Sequence, residues 1–460
     1  MEERVFVLLV FVASFVLILS EKIHRTIAAW FGAILLLILG HTMGVFTTSG
    51  DHSLEHEMLS WIGFEVIGLL LGMMVFAAIL ELCGFFEYIA IKAAKMSKGD
   101  PWLLIVYLGS FTTLISLVID NVTAIIIIAP VTLKICQKLE INPIPPLLAE
   151  AILSDTGGVA SMVGDPPNVM IAAEAANMNL DHIFGFNGFL LRLGILTLIS
   201  WVATLGYIRW YYRDWIGSKP SHVESLLEED EWDAVEDKQL MFSTLIILGL
   251  TVCAFSAKEF LGLHIEIHAI ALTGAGIALI AARPADHELR DGFMHMITEK
   301  IEWAALLFFA GLFILVGGVG NVGYLSDLAT WIFDTFGGNE VALAIAIVWF
   351  SAIASAVVDN IPFTAAMIPV ITEISEQNNL DITPLFWALA MGAGFGGNAT
   401  PIGSSANVMT VSISERGPHP ITTKEWIRVG LPVMFITCIV ASVFLFLFHS
   451  ILYSNPDFTP

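Results

Sequence analysis

Two stretches of this chain carry one pattern: Asp155–Asn168 reads DTGGVASMVGDPPN, and Gly394–Asn407 reads GFGGNATPIGSSAN. Each lies in the middle of an apolar run, and the matched positions are 239 residues apart without a gap. Glycine pairs and prolines interrupt a helix and leave backbone carbonyls free. The pattern therefore predicts two broken helices that belong to an internal repeat. In membrane transporters with such symmetry, the binding site lies where the two halves meet.

The composition indicates a polytopic membrane protein. The 460 residues are 57% hydrophobic and only 14% charged, whereas soluble domains carry about a quarter charged residues. The net charge of -23 excludes a nucleic-acid-binding surface. The four cysteines are far apart and the histidines are scattered, so the chain has no disulfide or metal-ligand framework.

Two further apolar runs, 101–137 and 340–375, are too long for one span and carry Asp-Asn in the middle. A re-entrant hairpin keeps such a polar pair away from lipid. We therefore predict an all-α membrane protein with two repeats, each of about five transmembrane helices plus one re-entrant hairpin. The first repeat is 1–212 with broken helix 146–176, and the second is 240–460 with broken helix 382–412. An acidic cytoplasmic linker, 213–239, joins them.

The basic residues predict the orientation of the repeats. With the N-terminus outside, 17 of the 20 Lys and Arg residues fall on the cytoplasmic side, and only Arg4, Arg192 and Lys258 fall outside. This agrees with the positive-inside rule. Five spans precede the linker, so the second repeat is expected to be inverted relative to the first. We expect a multi-pass protein of the plasma or inner membrane with both termini outside.

The hairpin tips and broken helices supply the candidate site. Ionisable groups at membrane depth are costly and usually functional, although helix capping is the structural alternative for the tips. Unwound carbonyls and half-helix ends hold Na⁺ and substrate in secondary transporters. The candidate ion and substrate ligands are Asp120, Asn121, Thr123, Asp155, Thr156, Gly157, Ser161, Asp165, Asn168, Asp359, Asn360, Thr364, Gly397, Asn398, Thr400, Ser404, Ser405 and Asn407. Within this set, the Na⁺ candidates are Asn121, Asp155, Asn360 and Asn398.

Charge within these segments narrows the expected substrate. Neither tip and neither broken segment contains Lys or Arg, so a bare polyanion would need a co-bound cation. This favours a cation, a proton or a neutral solute, with Na⁺ or H⁺ as the coupling ions and no other cofactor. The repeats also differ, because Asp155 and Asp165 match Gly394 and Ser404. We expect the titrating group to be Asp120, Asp155 or Asp165.

At these motifs the chain resembles the ion transporter superfamily, which includes arsenite permeases, NhaD-type Na⁺/H⁺ antiporters, and citrate and dicarboxylate carriers. The motifs are GDPPNVMI (164–171), DNIPFTAAMIP (359–369) and GGNATPIGSSANV (396–408), and the ArsB/NhaD and P-protein branch is the most similar. The resemblance implies a scaffold domain and a moving transport domain, an elevator mechanism and a homodimer. The dicarboxylate carriers look to have Ser-Asn-Thr at both tips, whereas this chain has Asp-Asn there. In this it is similar to the antiporter and P-protein branches.

Several functions remain open at this point. The first is cation/proton antiport by an ion-coupled secondary transporter, and the second is efflux of arsenite or antimonite. A carboxylate or anion transporter is a further alternative, and a channel is disfavoured by two plugged hairpins. An enzyme is not expected, because the chain has no HExxH, GxSxG or P-loop pattern. The expected partners are a small ion or solute and the lipid bilayer, not nucleic acid.

Overall fold

The fold is that of a computed structural model, which describes residues 2–458 except 21, 43–58, 60, 218–219, 222, 229, 264, 284–286 and 338. The described part is helical and contains no strand. Its helices of ten or more residues are α1 (Glu2–Ser20), α2 (Arg25–Thr42), α3 (Phe64–Leu82), α4 (Phe85–Ser97), α5 (Pro101–Ser116), α6 (Asn121–Lys138), α7 (Ile144–Gly158), α8 (Pro166–Asn177), α9 (Phe186–Tyr211), α10 (Lys238–Leu261), α11 (Ile267–Ala282), α12 (His287–Lys300), α13 (Trp303–Asn321), α14 (Tyr324–Phe336), α15 (Glu340–Ser355), α16 (Asn360–Asn378), α17 (Thr383–Gly397), α18 (Ser405–Ser414) and α19 (Thr423–Phe448).

The helices follow the same internal offset as the sequence motifs. The pairs α3/α13, α4/α14, α5/α15 and α7/α17 begin and end at positions 239 residues apart. Gly84 and Gly323 precede α4 and α14 with φ of 79° and 78°, a left-handed conformation that glycine adopts without steric cost. A Cβ at Gly84 would also lie 1.8 Å from the Ala234 carbonyl oxygen. Sharp turns therefore follow α3 and α13 at matched positions.

Both predicted breaks and both predicted hairpins appear as interrupted helices. α7 and α8 are separated by residues 159–165, and α17 and α18 by residues 398–404. The hairpin arms α5 and α6 are separated at 117–120, and α15 and α16 at 356–359. Four apolar runs therefore form eight shorter helices, because glycine, proline and polar residues end each helix midway.

Seven helices of the described part are long and apolar enough to cross a membrane. They include α2, α3, α6, α9, α10, α13 and α19. Two shorter apolar helices, Arg4–Ile18 within α1 and Ile267–Ala282, which is α11, fall below this length. Residues 43–58 and 60 of the predicted first repeat and linker residues 218, 219, 222 and 229 lie outside the described part.

Helices of the two repeats interlock. α3 packs against α11, and its counterpart α13 packs against α2. The hairpin arm α6 packs against α18 of the other repeat, and α16 packs against α8 in the same way. Within each repeat, α5 packs against α7 and α15 against α17. Neither repeat therefore completes its core alone, and the four hairpin and broken-helix units meet in one place.

The acidic linker is anchored on α4. The Lys95 ammonium lies 2.6 Å from a Glu231 carboxylate oxygen, and this hydrogen bond lowers the pKa of Glu231. The rings of Tyr88 and Trp232 lie 4.6 Å apart, and the Glu236 N–H donates to the Cys83 carbonyl. The linker therefore packs on the helix that connects α3 to the first hairpin.

Candidate functional site

Both tip aspartates cap the second arm of their hairpin. Asp120 accepts hydrogen bonds from the Thr123 N–H at 2.9 Å and the Thr123 hydroxyl at 2.7 Å. Asp359 accepts from the Ile361 N–H at 3.0 Å and the Ser405 hydroxyl at 2.5 Å. An Asp cap satisfies N–H groups that would otherwise be unpaired at a helix start. Capping therefore accounts for the Oδ1 atom of both aspartates. Asp359 Oδ2 instead accepts from Ser405, at the start of α18 in the second broken helix.

Each tip is fixed in the break of its own repeat by one backbone hydrogen bond. The Asn121 N–H donates to the Gly164 carbonyl at 3.2 Å, and the Asn360 N–H donates to the Gly403 carbonyl at 3.1 Å. A Cβ at Gly164 would lie 2.5 Å from the Ser116 carbonyl oxygen. The backbone at the break can therefore approach the hairpin this closely only because the residue is glycine.

The first polar cluster consists of Asn121, Asp155 and Ser404. One Asp155 oxygen accepts from the Asn121 amide at 2.8 Å and from the Ser404 hydroxyl at 3.3 Å. All three side chains are at most 2% exposed. The other Asp155 oxygen, Oδ2, and the Asn121 amide oxygen have no partner. The hairpin, its own broken helix and the break of the other repeat thus meet at one carboxylate.

The second polar cluster consists of Asn360, Asp165 and Gly394, the pseudo-symmetric counterpart of the first. The Asn360 amide donates to the two Asp165 oxygens at 3.2 and 3.3 Å. A Cβ at Gly394 would lie 3.2 Å from Asp165 Oδ2. Asp165 thus occupies the space beside Gly394, the counterpart of Asp155. Asp155 and Asp165, which have no acidic counterpart in the second repeat, therefore serve different clusters, one carboxylate in each.

Thr156 and Asn398 connect the two broken helices. The Asn398 amide donates to the Thr156 hydroxyl at 3.2 Å, and the Asn398 carbonyl accepts from the Trp426 indole at 3.0 Å. The Thr156 and Asn398 side chains are fully buried, and the Asn398 amide oxygen has no partner. The contact therefore places the free amide oxygen of Asn398 near Thr156, the residue that follows Asp155.

Asn168 and Asn407 brace the breaks. The Asn168 amide donates to the carbonyls of Val159 and Ser161 at 3.2 and 2.9 Å. The Asn407 amide donates to the carbonyls of Gly397 and Thr400 at 2.8 and 3.1 Å. These bonds satisfy carbonyls that the broken helix leaves free. The two asparagines therefore hold the shape of the breaks.

Of the other predicted site residues, three make local or packing contacts and one carries a free hydroxyl. The Ser161 hydroxyl accepts from the Val163 N–H at 3.2 Å, and the Thr400 hydroxyl donates to the Ala356 carbonyl at 2.6 Å. A Cβ at Gly157 would lie 2.2 Å from Thr113, so this glycine permits close helix packing. The Thr364 hydroxyl is buried without a partner and remains available to a ligand.

Arg25 is a site residue that the sequence patterns missed. It begins α2, and its guanidinium lies 3.4 Å from Asp359 Oδ2, donates to the Ser405 hydroxyl and covers the Phe308 ring at 5.3 Å. The expectation that no cation offsets the tip aspartates is therefore wrong at Asp359. The contact joins residues 334 positions apart, and no local motif signals it.

A narrow cavity lies between both tips and the start of α2 and α13, where Arg25 begins α2 and Glu302 precedes α13. Arg25 and Glu302 line it from one side, and Asp120, Ile361 and Ser405 line it from the other. The two tips therefore face one end of the α2/α13 pair. This cavity therefore brings the Arg25 guanidinium and the Glu302 carboxylate together with Asp120 and Ser405.

Replacing Arg25 with Gln is expected to loosen the second hairpin tip. An ion pair that is partly exposed contributes up to about 1 kcal/mol, so local opening should rise about fivefold at most. Hydrogen–deuterium exchange of residues 355–361 measures this opening. Lys22→Gln, in the same connection and without a contact to the tip, is the control. Equal exchange in both variants would show that Arg25 does not hold the tip.

The comparisons with known proteins agree with this architecture. The model of the citrate transporter family, CitMHS, matches residues 15–392 and 367–457. An uncharacterized transporter of Mycobacterium tuberculosis is 37% identical over 447 residues, which covers 96% of this chain and 98% of that protein. The human P protein is 31% identical over 506 residues, covering 95% of this chain and 59% of the P protein.

A solved structure shares the fold. The YdaH transporter of Alcanivorax borkumensis, whose crystal structure has an unusual topology, superimposes with a TM-score of 0.62 at 16% identity. The match covers 94% of this chain and 100% of that one. At this identity the likeness concerns the fold alone. The family match and the relatives together confirm the superfamily that the motifs predicted: the chain is a membrane transporter and belongs to the citrate transporter family.

Proposed function

We propose that this protein is a secondary active transporter that exchanges Na⁺, or a similar cation, for protons. The observation that carries the proposal is the charge of the site. Asp120, Asp155 and Asp165 are at most 3% exposed, and Asp359 lies beside them at the second tip. Among the described residues, Arg25 is the cation that contacts this group. Buried like charges require compensation by protons or bound cations. Such a site binds either a proton or a cation, so protons and Na⁺ compete for it.

The unpartnered oxygens support a Na⁺ site at the first polar cluster. Asp155 Oδ2, the Asn121 amide oxygen and the Asn398 amide oxygen are all buried and free. Hard cations prefer oxygen ligands of this type. In the second polar cluster, Asp165 and Asn360 already bond to each other, so a cation there would replace that hydrogen bond. We therefore infer that Na⁺ binds first at Asp155.

We further propose alternating access by an elevator movement of the hairpins and broken helices as one unit. The unit would move against α2, α3, α11 and α13, which pack on one another across the repeats. The ion pair of Arg25 with Asp359 would then break and form during the cycle. Inverted repeats, a homodimer, and a position in the cell membrane with both termini outside belong to the same proposal.

A carboxylate carried together with a cation is the second candidate function. Arg25 beside Ser405 supplies a guanidinium and a hydroxyl, a pairing suited to carboxylates, and the family description names citrate. A bound cation at Asp155 would offset the repulsion between a carboxylate substrate and the acidic tips. The same experiment can separate this function from antiport.

Proteoliposomes that contain a pH-sensitive dye test the proposal. After a proton gradient is imposed, Na⁺, Li⁺, K⁺, arsenite, citrate, or citrate together with Na⁺ is added to separate samples. Proton movement on addition of Na⁺ or Li⁺ alone supports cation/proton exchange. Movement only when citrate and a cation are present together supports the second candidate. Arsenite uptake without a response to any cation would contradict both.

A further inference from the structure

A cavity of about 500 Å³ lies between the unit of hairpins and broken helices and the helices beside it. The helices around it are in contact, α3 with α8 and α13 with α16. Its described lining comes from α13, α3 and the residues before α3 on one side, and from α8 and α16 on the other, and it includes no residue of a hairpin tip. The ion exchange proposed above therefore does not use this cavity.

Aromatic rings form one wall of the cavity. Trp61, Phe64 and Phe313 line it from the side of α3 and α13. A Cβ at Gly317 would lie 2.4 Å from Trp61 Cγ, and a Cβ at Gly63 would lie 3.2 Å from Phe313 Cε2. The two glycines therefore allow the Trp61 and Phe313 rings to pack directly on the backbone, which holds this wall in place.

Two carboxyl groups line the same cavity, those of Glu65 and Glu174. Glu65 is exposed in the first turn of α3, whereas Glu174 is half-buried in the last turn of α8. The C-terminal end of a helix carries a partial negative charge, so an anion there is unfavourable. Glu376 interacts electrostatically with Glu174 and adds a further negative charge. A cation in the cavity would offset these charges.

The protein supplies little compensation for these two carboxylates. The described lining of the cavity contains no Lys, Arg or His, and within the described part neither Glu65 nor Glu174 forms an ion pair. Glu174 accepts a long hydrogen bond, 3.4 Å, from the neutral amide of Asn177. Lys258 lines the adjoining cavity, but its ammonium is already paired with Asp181 at 3.8 Å. The two carboxylates are therefore open to a cation from outside the protein.

The repeat shows that the fold does not require these carboxyl groups. The positions 239 residues after Glu65 and Glu174 are Ala304 and Ile413. Both counterparts are apolar, and they lie in α13 and α18. Binding of a ligand accounts for carboxyl groups that one copy has and the other lacks.

We propose that this cavity is a binding site for an organic ammonium ion with an aromatic or aliphatic body. Pockets of this size, with an apolar lining and a few polar groups, bind small molecules. Aromatic rings attract ammonium groups through cation–π interactions, and the carboxylates supply the opposite charge. A bare divalent cation fits less well, since Ca²⁺ and Mg²⁺ take about six oxygen ligands or more and most of this lining is apolar.

A bound ammonium ion would contact both walls of the cavity. One wall belongs to α3 and α13, and the other belongs to α8 and α16. Occupation of the cavity therefore stabilises the present arrangement of these helices and slows transport. Only this slowing rests on the elevator movement and the cation/proton exchange proposed above, whereas the binding of the ammonium ion does not.

Isothermal titration calorimetry with benzyltrimethylammonium tests the site in the purified full-length protein at constant ionic strength. Saturable binding is expected, whereas phenylmethanesulfonate, an anion with the same benzyl body, should not bind. Glu65→Gln and Glu174→Gln should each weaken binding by about tenfold, because each removes one charge that faces the ammonium group. Phe313→Leu should weaken binding by about twofold to fivefold through the lost cation–π contact.

Asp334→Asn is the matched control. Asp334 is an exposed acid on α14 and lies outside the described lining of the cavity, so this variant should bind benzyltrimethylammonium as the wild-type protein does. In proteoliposomes, the ammonium ion should slow Na⁺-driven proton movement, and additional Na⁺ should not restore the rate.

Three results would overturn the proposal: no saturable binding, equal binding of the ammonium ion and the sulfonate, or Glu65→Gln and Glu174→Gln proteins that bind as Asp334→Asn does. Slowing that additional Na⁺ relieves would place the ammonium ion at the tips, which also contradicts the proposal. If the wild-type protein moves no protons, the function proposed above fails. Calorimetry then decides separately whether the cavity binds the ammonium ion.

Discussion

Replacing Asp155 with Asn is expected to reduce Na⁺-driven proton movement by about 100-fold or more, in line with the loss of a positioned acid–base group. Asp155 Oδ1 accepts from two donors, Asn121 and Ser404, and Oδ2 is free for a cation or a proton. Asn keeps the size and one acceptor but has no charge and cannot take up a proton. The rate of dye recovery in proteoliposomes measures the loss.

Asp100→Asn is the matched control for this variant. Asp100 caps α5 by accepting from the Trp102 and Leu103 N–H groups. Its counterpart Asn339 already caps α15 in the same way, and Asn caps a helix as well as Asp does. Transport at the wild-type rate is expected. An Asp155→Asn protein that matched this control would remove Asp155 from the coupling mechanism.

Replacing Gly164 with Ala is expected to have the second-largest effect. The new methyl group would lie 2.5 Å from the Ser116 carbonyl and 2.7 Å from the Gly158 carbonyl, and both are backbone atoms that cannot move aside alone. Overpacking of this kind costs about 1–3 kcal/mol. The hydrogen bond from the Asn121 N–H to the Gly164 carbonyl would lengthen, which displaces the first polar cluster. A lower thermal unfolding temperature and lost transport should appear together.

Gly194→Ala on α9 controls for the chemistry of the substitution. A Cβ at Gly194 would contact nothing within 4 Å, and Ala stabilises a helix interior by roughly 0.5–1 kcal/mol relative to Gly. Unchanged transport and equal or higher stability are expected. If Gly164→Ala behaved like Gly194→Ala, the break and the tip would not be in the close contact described above.

The interrupted helices could be predicted from the sequence because their causes are local. Gly157-Gly158 and the Asp-Asn tips interrupt apolar runs, and the repeat gave each of these pairs a second occurrence. Pro166-Pro167, which has no counterpart, marks the start of the helix after the first break. The boundaries of α7 and α17 agree at the same offset for the same reason. The family resemblance rested on these same motifs, and the family match confirms it.

Contacts between distant parts of the chain could not be predicted. The pairing of Arg25 with Asp359 depends on how α2 packs beside the second hairpin. The sequence also showed that the first repeat carries the extra acids, but not that Asp165 points to Asn360 of the other repeat. Each break contributes a side chain to the polar cluster at the tip of the other repeat, Ser404 to the first cluster and Asp165 to the second. The two acids of the first repeat are therefore divided between the clusters, with one carboxylate in each. Glu150, in contrast, has the apolar counterpart Leu389, so no carboxylate of the second repeat matches it.

Binding of radioactive ²²Na⁺ to the purified protein tests the central proposal most directly, that Na⁺ and protons compete for one carboxylate at the crossing of the hairpins and broken helices. We expect saturable binding that weakens as the pH falls and disappears in Asp155→Asn, while Asp100→Asn binds as the wild-type protein does. Absence of Na⁺ binding at every pH, or equal binding by wild-type and Asp155→Asn proteins, would contradict the account.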